Sequence, residues 1–282
     1  MSHSAIQEIV AVFGQPVAGN PTQYMMEKAF VQAGLDWRYL TLEVAPEALG
    51  DAIRGMRAMG FRGCNLTIPH KVEVIKFLDR TNEAAALMGA VNCVNRVDDE
   101  LVGENTDGKG FVQSLNEVAD PAGKNVVVLG AGGAARAIAV EVGLAGAAAI
   151  TIVNRGEERG RELANLLNEK VNVAAQFVRW EGDYRVPPET EVVINATSIG
   201  LGDAEARLPL DIETLESDMV VADVIFNPPE TRFLREAQSR DCQTLDGLGM
   251  LVNQAVIAFH IWTGRDADPG VMREALEEFL GI

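Results

Sequence analysis

Glycine residues in the middle of the chain have the spacing that binds a dinucleotide. Gly130, Gly132 and Ala135 follow the apolar run 126–129 in the pattern Gly-x-Gly-x-x-Ala. In such a strand-turn-helix unit the first glycine makes a tight bend, and the second lets pyrophosphate approach the backbone. The small third residue packs the helix on the strand. An ordinary strand-to-helix turn has glycines too, so the interpretation depends on the neighbouring elements.

The residues that would select the cofactor follow the next apolar run, 147–153. This run ends in Asn154 and Arg155, and Arg159 comes four residues later. Two guanidinium groups can bracket a 2′-phosphate, whereas an acid at this point binds the ribose 2′-hydroxyl of NAD. The pattern favours NADP, with NAD as a secondary cofactor. Glu157 leaves two interpretations: it accepts from a ribose hydroxyl, or it is a first-turn acid.

A lysine and an aspartate in the first third of the chain could move a proton. Pro69 can start a helix, which would place Lys71 in its first turn, where the helix dipole opposes a cation. A surface lysine is the alternative. Asp107 precedes the predicted helix 111–118, and either it or Thr106 could simply cap that helix. If both charged groups face one cleft, the aspartate can hold the lysine charged and oriented for proton transfer.

A buried amide is the third polar candidate in this region. Asn92 lies within an apolar run that we interpret as a strand. A buried carboxamide must find hydrogen-bond partners. Either it ties two backbone segments together or it offers a donor to a ligand hydroxyl.

Composition and charge restrict the class of protein. The 282 residues include 24 basic and 41 acidic residues, a formal charge of −17, which argues against nucleic acid and anionic membrane partners. The N-terminal sequence lacks the features of a signal peptide and no apolar run spans a membrane, so we predict a cytoplasmic chain. Three scattered cysteines, Cys64, Cys93 and Cys242, indicate buried free thiols and no metal site.

Strand and helix patterns alternate along most of the chain. Strands are predicted at 9–13, 37–44, 63–66, 126–129, 147–153, 173–178, 192–195, 219–226 and 242–245, and helices at 24–32, 46–59, 250–262 and 269–280. The fold class is therefore α/β: an N-terminal α/β domain and an inserted Rossmann-like domain with a doubly wound parallel sheet. The final helices have no strand after them and should return to the first domain. The predicted bounds are 1–108, 109–248 and 249–282.

Six sequence blocks, in order, resemble the shikimate dehydrogenase family over nearly the whole chain. They are Asn-Leu-Thr-Ile-Pro-His-Lys at 65–71, Gly-Ala-Val-Asn at 89–92, Glu-Asn-Thr-Asp-Gly at 104–108, Gly-Ala-Gly-Gly-Ala-Ala-Arg at 130–136, Asn-Ala-Thr-Ser-Ile-Gly at 195–200 and Asp-Gly-Leu-Gly-Met-Leu-Val-Asn-Gln at 246–254.

This resemblance implies a role for each matching residue. It implies that Lys71 and Asp107 are the catalytic pair. The implied substrate ligands are Asn20, Thr22, Asn65, Thr67, Asn92 and Gln254. The implied cofactor ligands are Gly130, Ala131, Gly132, Gly133, Ala134, Asn154, Arg155, Arg159, Thr197, Phe226, Gly247 and Gly249. Without the resemblance, a core amide satisfied by its neighbours is the alternative for Gln254.

Two departures from the family pattern concern the substrate. The family's His-Ser-x-Ser-Pro segment, whose serines bind the substrate carboxylate, corresponds here to Gly-Asn-Pro-Thr-Gln at 19–23. Thr22 keeps a hydroxyl, whereas Asn20 offers a longer carboxamide that can still donate. The family's usual Tyr-Asn-Pro is Phe-Asn-Pro at 226–228, so a phenolic hydroxyl is missing.

The resemblance implies reversible, NADP-dependent reduction of 3-dehydroshikimate to shikimate, a step of aromatic amino acid biosynthesis, in a monomer or homodimer. The departures favour two alternatives. One is a quinate or aminoshikimate dehydrogenase of the same family. The other is a non-catalytic NADP-binding sensor, against which the presence of both Lys71 and Asp107 argues.

Overall fold

The structure, a computed structural model, describes residues 6–282. Residues 6–106 and 254–282 form one compact unit, and residues 107–253 form another. The prediction that the N-terminal sequence lacks signal-peptide features rests partly on residues 1–5, which lie outside the described residues. Within 6–282, no helix has the length and apolar character that crossing a membrane requires.

A six-stranded mixed sheet forms the centre of the first unit. Its strand order is β2-β1-β3-β5-β6-β4, with β5 antiparallel to both of its neighbours and the other pairs parallel. β1 is interior because its apolar residues are buried on both faces. The strands are β1 (Glu8–Gly14), β2 (Trp37–Glu43), β3 (Gly63–Leu66), β4 (Arg80–Thr81), β5 (Cys93–Val97) and β6 (Glu100–Glu104).

Helices from both ends of the chain pack in the first unit. They are α1 (Thr22–Gln32), α2 (Leu49–Ala58), α3 (Glu83–Met88), the second half of α8 (Gly247–Thr263) and α9 (Pro269–Leu280). Phe30 of α1 stacks on Phe259 of α8 at 5.4 Å between ring centroids. The buried indole of Trp262 donates to the carbonyl of Val94 in β5 at 2.9 Å. The C-terminal helices are therefore part of the core of this unit.

The outer edge of β2 has its amides capped by side chains. The backbone N–H of Tyr39 donates to the Glu27 carboxylate, and that of Thr41 donates to the Gln23 amide oxygen at 3.0 Å. Both acceptors come from α1. These bonds occupy donors that an edge strand would otherwise offer to another chain.

The second unit is a doubly wound parallel sheet. Its order is β12-β11-β10-β7-β8-β9, so the chain order reverses between β7 and β10. The strands are β7 (Asn125–Leu129), β8 (Ala149–Asn154), β9 (Ala174–Arg179), β10 (Val192–Asn195), β11 (Val220–Asp223) and β12 (Gln243–Leu245). The helices are α4 (Asp107–Leu115), α5 (Gly133–Leu144), α6 (Glu157–Leu166), α7 (Arg232–Gln238) and the first half of α8. The predicted fold class is confirmed.

Candidate functional site

The turn after β7 leaves open space at the beginning of α5. Gly130 has φ = +109°, and a Cβ there would lie 3.0 Å from the carbonyl oxygen of Ala196, so this bend requires glycine. A Cβ on Gly132 or Gly133 would meet no atom within 4 Å, and no side chain caps the helix. The first-turn amides and the helix dipole favour an anion in this space. The turn therefore fits the pyrophosphate of a dinucleotide.

The other predicted cofactor residues of this turn surround the same space. Ala131 and Ala134 flank the glycines, and Ala135 is fully buried, as close helix-to-strand packing requires. Thr197 follows β10, and its methyl group would lie 3.2 Å from a Cβ on Gly130. This is the point where the strand order reverses, the usual ligand position in such sheets.

Two arginines near the end of β8 are available for a phosphate. The Arg155 guanidinium lies over the Trp180 ring, 5.9 Å from its centroid. Arg159 is exposed, and neither arginine forms an ion pair within residues 6–282. The amide of Asn154 donates to the carbonyl of Gly156 at 2.8 Å, which shapes the turn that carries Arg155.

Glu157 stands in the first turn of α6 and is held by other arginines. Its carboxylate accepts from Arg161 Nε at 2.7 Å and lies 3.8 Å from Arg179 Nη1. The bond from Arg161 and its charge lower the pKa of Glu157. Of the two interpretations from the sequence, the first-turn acid describes its observed environment.

A buried hydrogen-bond network orders the carboxyl ends of β10 and β11. Asp223 accepts from Thr231 Oγ1 at 2.8 Å, from Asn195 Nδ2 at 3.0 Å and from the Ile225 amide at 3.1 Å. The Thr197 hydroxyl donates to Asn195 Oδ1 at 2.7 Å. Burial raises the pKa of Asp223 to about 6, although all three of these hydrogen bonds lower it. Asp223 thus fixes Asn195, which in turn fixes Thr197.

Packing explains the two predicted glycines of α8. A Cβ on Gly247 would lie 2.5 Å from the Ile225 carbonyl oxygen, and one on Gly249 would lie 2.1 Å from Ser114 Oγ. Phe226, directly after Ile225, is half-buried. Both glycines therefore have a structural reason that is independent of a cofactor.

On the side of the first unit, Asn20 shapes the turn that starts α1. Its Oδ1 accepts from the backbone N–H of Thr22 at 2.9 Å, which leaves Nδ2 as the donor end of the amide. Thr22 is buried, with 4% of its surface exposed.

Asn65 on β3 has its side-chain orientation fixed by two bonds. The Tyr39 hydroxyl donates to Asn65 Oδ1 at 2.6 Å, and Asn65 Nδ2 donates to the carbonyl of Asn92 at 3.1 Å. Thr67 follows β3, and its amide donates to the carbonyl of Phe13 at 2.9 Å. The polar face of Asn65 is thus preorganised.

Asn92 ties two backbone segments together. Its Oδ1 accepts from the Thr106 amide at 2.7 Å, and its Nδ2 donates to the Thr106 hydroxyl at 2.9 Å. Asn92 precedes β5 instead of lying within a strand, so that part of the prediction is wrong. The observed bonds realise the first of the two roles considered for it.

Lys71 lies in a turn before a short 3₁₀ segment, Glu73–Phe77, and not in the first turn of an α-helix. The argument from an opposing helix dipole is therefore wrong. Its backbone is fixed, since the Lys71 carbonyl accepts from the Val91 amide at 2.8 Å. The neighbouring His70 is buried, and its ring nitrogen lies 2.8 Å from the Val44 carbonyl oxygen.

Asp107 and Gln254 stand at the divisions between the compact units. Asp107 is the first residue of α4 and of the second unit, so the predicted helix start at 111 is four residues late. Gln254 is the first residue of the returning segment and is 6% exposed. Lys71 belongs to the first unit.

Sequence reasoning missed four residues that position the predicted ones. Tyr39 orients Asn65, Trp180 supports Arg155, Arg179 engages Glu157, and Asp223 holds Asn195. Only Asp223 had a readable signal, a polar residue at the carboxyl end of an apolar strand. The others depend on the order of the strands in the two sheets. No cluster of three or more metal-ligating side chains occurs among residues 6–282.

Family models match most of the chain. Residues 12–94 match a shikimate dehydrogenase substrate binding domain, 113–200 match shikimate / quinate 5-dehydrogenase, and 247–277 match a shikimate 5'-dehydrogenase C-terminal domain.

Individual relatives cover almost the full length. A shikimate dehydrogenase (NADP(+)) of Moorella thermoacetica is 41% identical over 97% of this chain and 94% of its own. The ligand-free structure of 5-ketofructose reductase of Gluconobacter sp. strain CHM43 is 50% identical, with a TM-score of 0.95 over 98% of this chain and 99% of that one. Shikimate 5-dehydrogenase of Thermus thermophilus, in complex with NADP(H) and shikimate, is 35% identical, with a TM-score of 0.85 over 97% and 100%. By sequence and by fold, this chain belongs to the shikimate dehydrogenase family.

Proposed function

We propose that the chain is an NADP-dependent shikimate dehydrogenase, which reversibly reduces 3-dehydroshikimate to shikimate. The observation that carries the proposal is that NADP-dependent shikimate dehydrogenases of three other organisms match 97–99% of the chain at 39–41% identity. The glycine turn supports a dinucleotide, and Arg155 and Arg159, which form no ion pair among residues 6–282, support NADP as the cofactor.

The proposed mechanism assigns the proton step to Lys71. When bound, NADPH supplies the hydride for the ketone. Lys71 donates a proton to the oxygen as negative charge develops there, and Asp107 orients its ammonium. Asn65, Thr67, Asn92 and Gln254 bind ring hydroxyls, while Asn20 and Thr22 take the carboxylate. Tyr39 serves by keeping the Asn65 amide in one orientation.

A second substrate has a specific observation in its favour. The 5-ketofructose reductase is 50% identical to this chain, whereas the shikimate dehydrogenases described above are 35–41% identical to it. Its neutral sugar needs no carboxylate-binding serine pair, and this chain has Asn20 where the family pattern has the first serine. The same lysine and aspartate chemistry would reduce either ketone.

Initial rates distinguish these functions. NADPH consumption is measured with 3-dehydroshikimate and with 5-ketofructose, and NADP reduction with shikimate, quinate and an amine-bearing analogue. We expect kcat/KM for one ketone to exceed the other by about tenfold or more. The ketone with the higher value identifies the substrate.

The exchange Asn20→Ser tests the role of this residue in substrate choice. It should raise kcat/KM for 3-dehydroshikimate relative to that for 5-ketofructose, because a hydroxyl replaces the longer amide. Tight NADP binding with no turnover of any substrate would favour the sensor.

A further inference from the structure

Four arginines surround the turn between β8 and α6, and they fall into two groups. Arg155 and Arg159 form no ion pair within the described residues 6–282. Arg161 and Arg179 both pair with the carboxylate of Glu157, at 2.7 and 3.8 Å, and Arg179 also pairs with Glu181 at 3.0 Å. Glu157 is therefore held by one pair of arginines, while the other pair has no carboxylate partner among residues 6–282 and keeps its charge available.

The positions on α6 explain this division. Glu157 and Arg161 are four residues apart and share a helix face, whereas Arg159 is two residues from each and points to nearly the opposite side. The Arg161 guanidinium also lies over the Phe177 ring of β9, 5.5 Å from its centroid. Arg179 ends β9, in register with Asn154. Glu157 is thus held on the β9 side of the helix.

A carboxylate in this turn can act on a dinucleotide in two ways. It can accept from the ribose 2′-hydroxyl, which favours NAD, or it can repel a 2′-phosphate, which disfavours NADP. Both effects require the carboxylate to turn toward the ribose. The hydrogen bond from Arg161 and the ion pair with Arg179 oppose that movement.

We propose that Arg161 and Arg179 are positioning residues for cofactor selection, which hold Glu157 away from the 2′ position and so preserve the preference for NADP. The inference rests on the proposed use of NADP and is independent of which ketone is reduced. It predicts that the two arginines act through Glu157 and not through their own charge.

Binding titrations of the full chain test this proposal. Dissociation constants for NADPH and NADH are measured by nucleotide fluorescence for the wild type, Arg161→Gln/Arg179→Gln, Glu157→Gln and the triple variant. In the double variant, we expect the dissociation constant for NADH divided by that for NADPH to fall about fivefold or more. The reason is that the Glu157 carboxylate then has no arginine partner, and only solvent and salt screen its charge. Adding Glu157→Gln should restore this ratio to within about twofold of the wild type. Glu157→Gln alone should change it little.

Glu158→Gln in the double-variant background is the matched control. Glu158 is the next residue, has the same charge as Glu157 and is exposed. Its replacement should restore little of the lost ratio of dissociation constants. The milder Arg161→Lys should keep most of the preference. Equal recovery with Glu158→Gln, or an equal effect of Glu157→Gln in both backgrounds, would overturn the inference. If the wild type binds neither nucleotide, the proposed function fails as well, whereas NADPH binding without turnover leaves this inference standing.

Discussion

At the scale of single residues, the proposed chemistry depends most on the ammonium of Lys71. Replacing it in Lys71→Ala removes the proton donor, so kcat should fall about 100-fold or more while the NADPH dissociation constant changes little. Steady-state rates and nucleotide titration measure the two quantities. Lys76→Ala is the control, because Lys76 is a surface lysine paired with Glu73 at 2.7 Å. Unchanged turnover in Lys71→Ala would remove Lys71 from the mechanism.

Asp223 makes a prediction about pH. Its folded-state pKa of about 6 lies above the ordinary 3.8, so the folded chain keeps a proton that the unfolded chain has lost. Its contribution to stability is therefore fully present below about pH 4 and is lost as pH rises through 6. Asp223→Asn does not titrate. Between pH 4.5 and 7, the free energy of unfolding of Asp223→Asn minus that of the wild type should therefore increase by roughly 1–3 kcal/mol. Urea denaturation at several pH values measures this difference.

The control for Asp223 is an aspartate whose pKa is shifted in the opposite direction. Asp183 is exposed, and the bidentate bond from Arg207 lowers its pKa. Its contribution is present at neutral pH and is lost as pH falls through the lowered value. Asp183→Asn should therefore lose stability relative to the wild type as pH rises through the acid range below about 4, and the difference should stay nearly constant from about pH 4.5 to 7. A pH-independent difference for Asp223→Asn would show that Asp223 is ionised in both states throughout this range.

The sequence identified residue types at strand ends but not their contacts. Gly130, Arg155 and Asp107 could be selected because each follows or precedes a recognisable element, and Asn92 because it is a polar residue within an apolar run. The bond between Tyr39 and Asn65 could not, because it joins residues 26 positions apart on β2 and β3, two strands that are separated by β1 in the sheet. Lys71 was misplaced because Pro69 permits a tight turn as readily as a helix start.

At the scale of elements, the close backbone approach of α4 to α5 predicts that one added methyl group will lower stability. A Cβ on Gly108 of α4 would lie 2.4 Å from the carbonyl oxygen of Ala137 in α5. Because a backbone oxygen cannot move aside, Gly108→Ala should lower the free energy of unfolding by about 1–3 kcal/mol. Gly55→Ala in α2 is the control, where the added Cβ meets only the end of Met59 at 3.8 Å. It should stabilise by roughly 0.5–1 kcal/mol.

Denaturant melts of both glycine variants provide the measurement. A neutral Gly108→Ala would mean that α4 and α5 separate without cost. The elements themselves were predicted well where an uninterrupted apolar run ended at a glycine, as at 9–13 before Gly14 and 126–129 before Gly130. The hairpin of β5 and β6 was missed because no glycine or proline marks its bend. There Asp98 takes a positive φ of 54°.

At the scale of the whole molecule, the first unit is assembled from segments that are 148 or more positions apart in sequence. The return of the last helices was predictable, because a helix pair with no following strand must bury its apolar face on an existing sheet. The identity of the side chains that form this contact was not predictable. Trp262 does so, with 7% exposure and its bond to Val94.

Trp262→Leu should therefore weaken one unit selectively. Loss of the buried ring and its hydrogen bond should lower the stability of the first unit by about 2–4 kcal/mol. Hydrogen exchange measured by mass spectrometry should show faster exchange in β1 and β3, while β7 and β8 keep their protection, because their core contains separate side chains. Phe279→Leu, at a ring that is 43% exposed, is the control and should change little. Equal loss of protection in β7 and β8 would show that the two units unfold together.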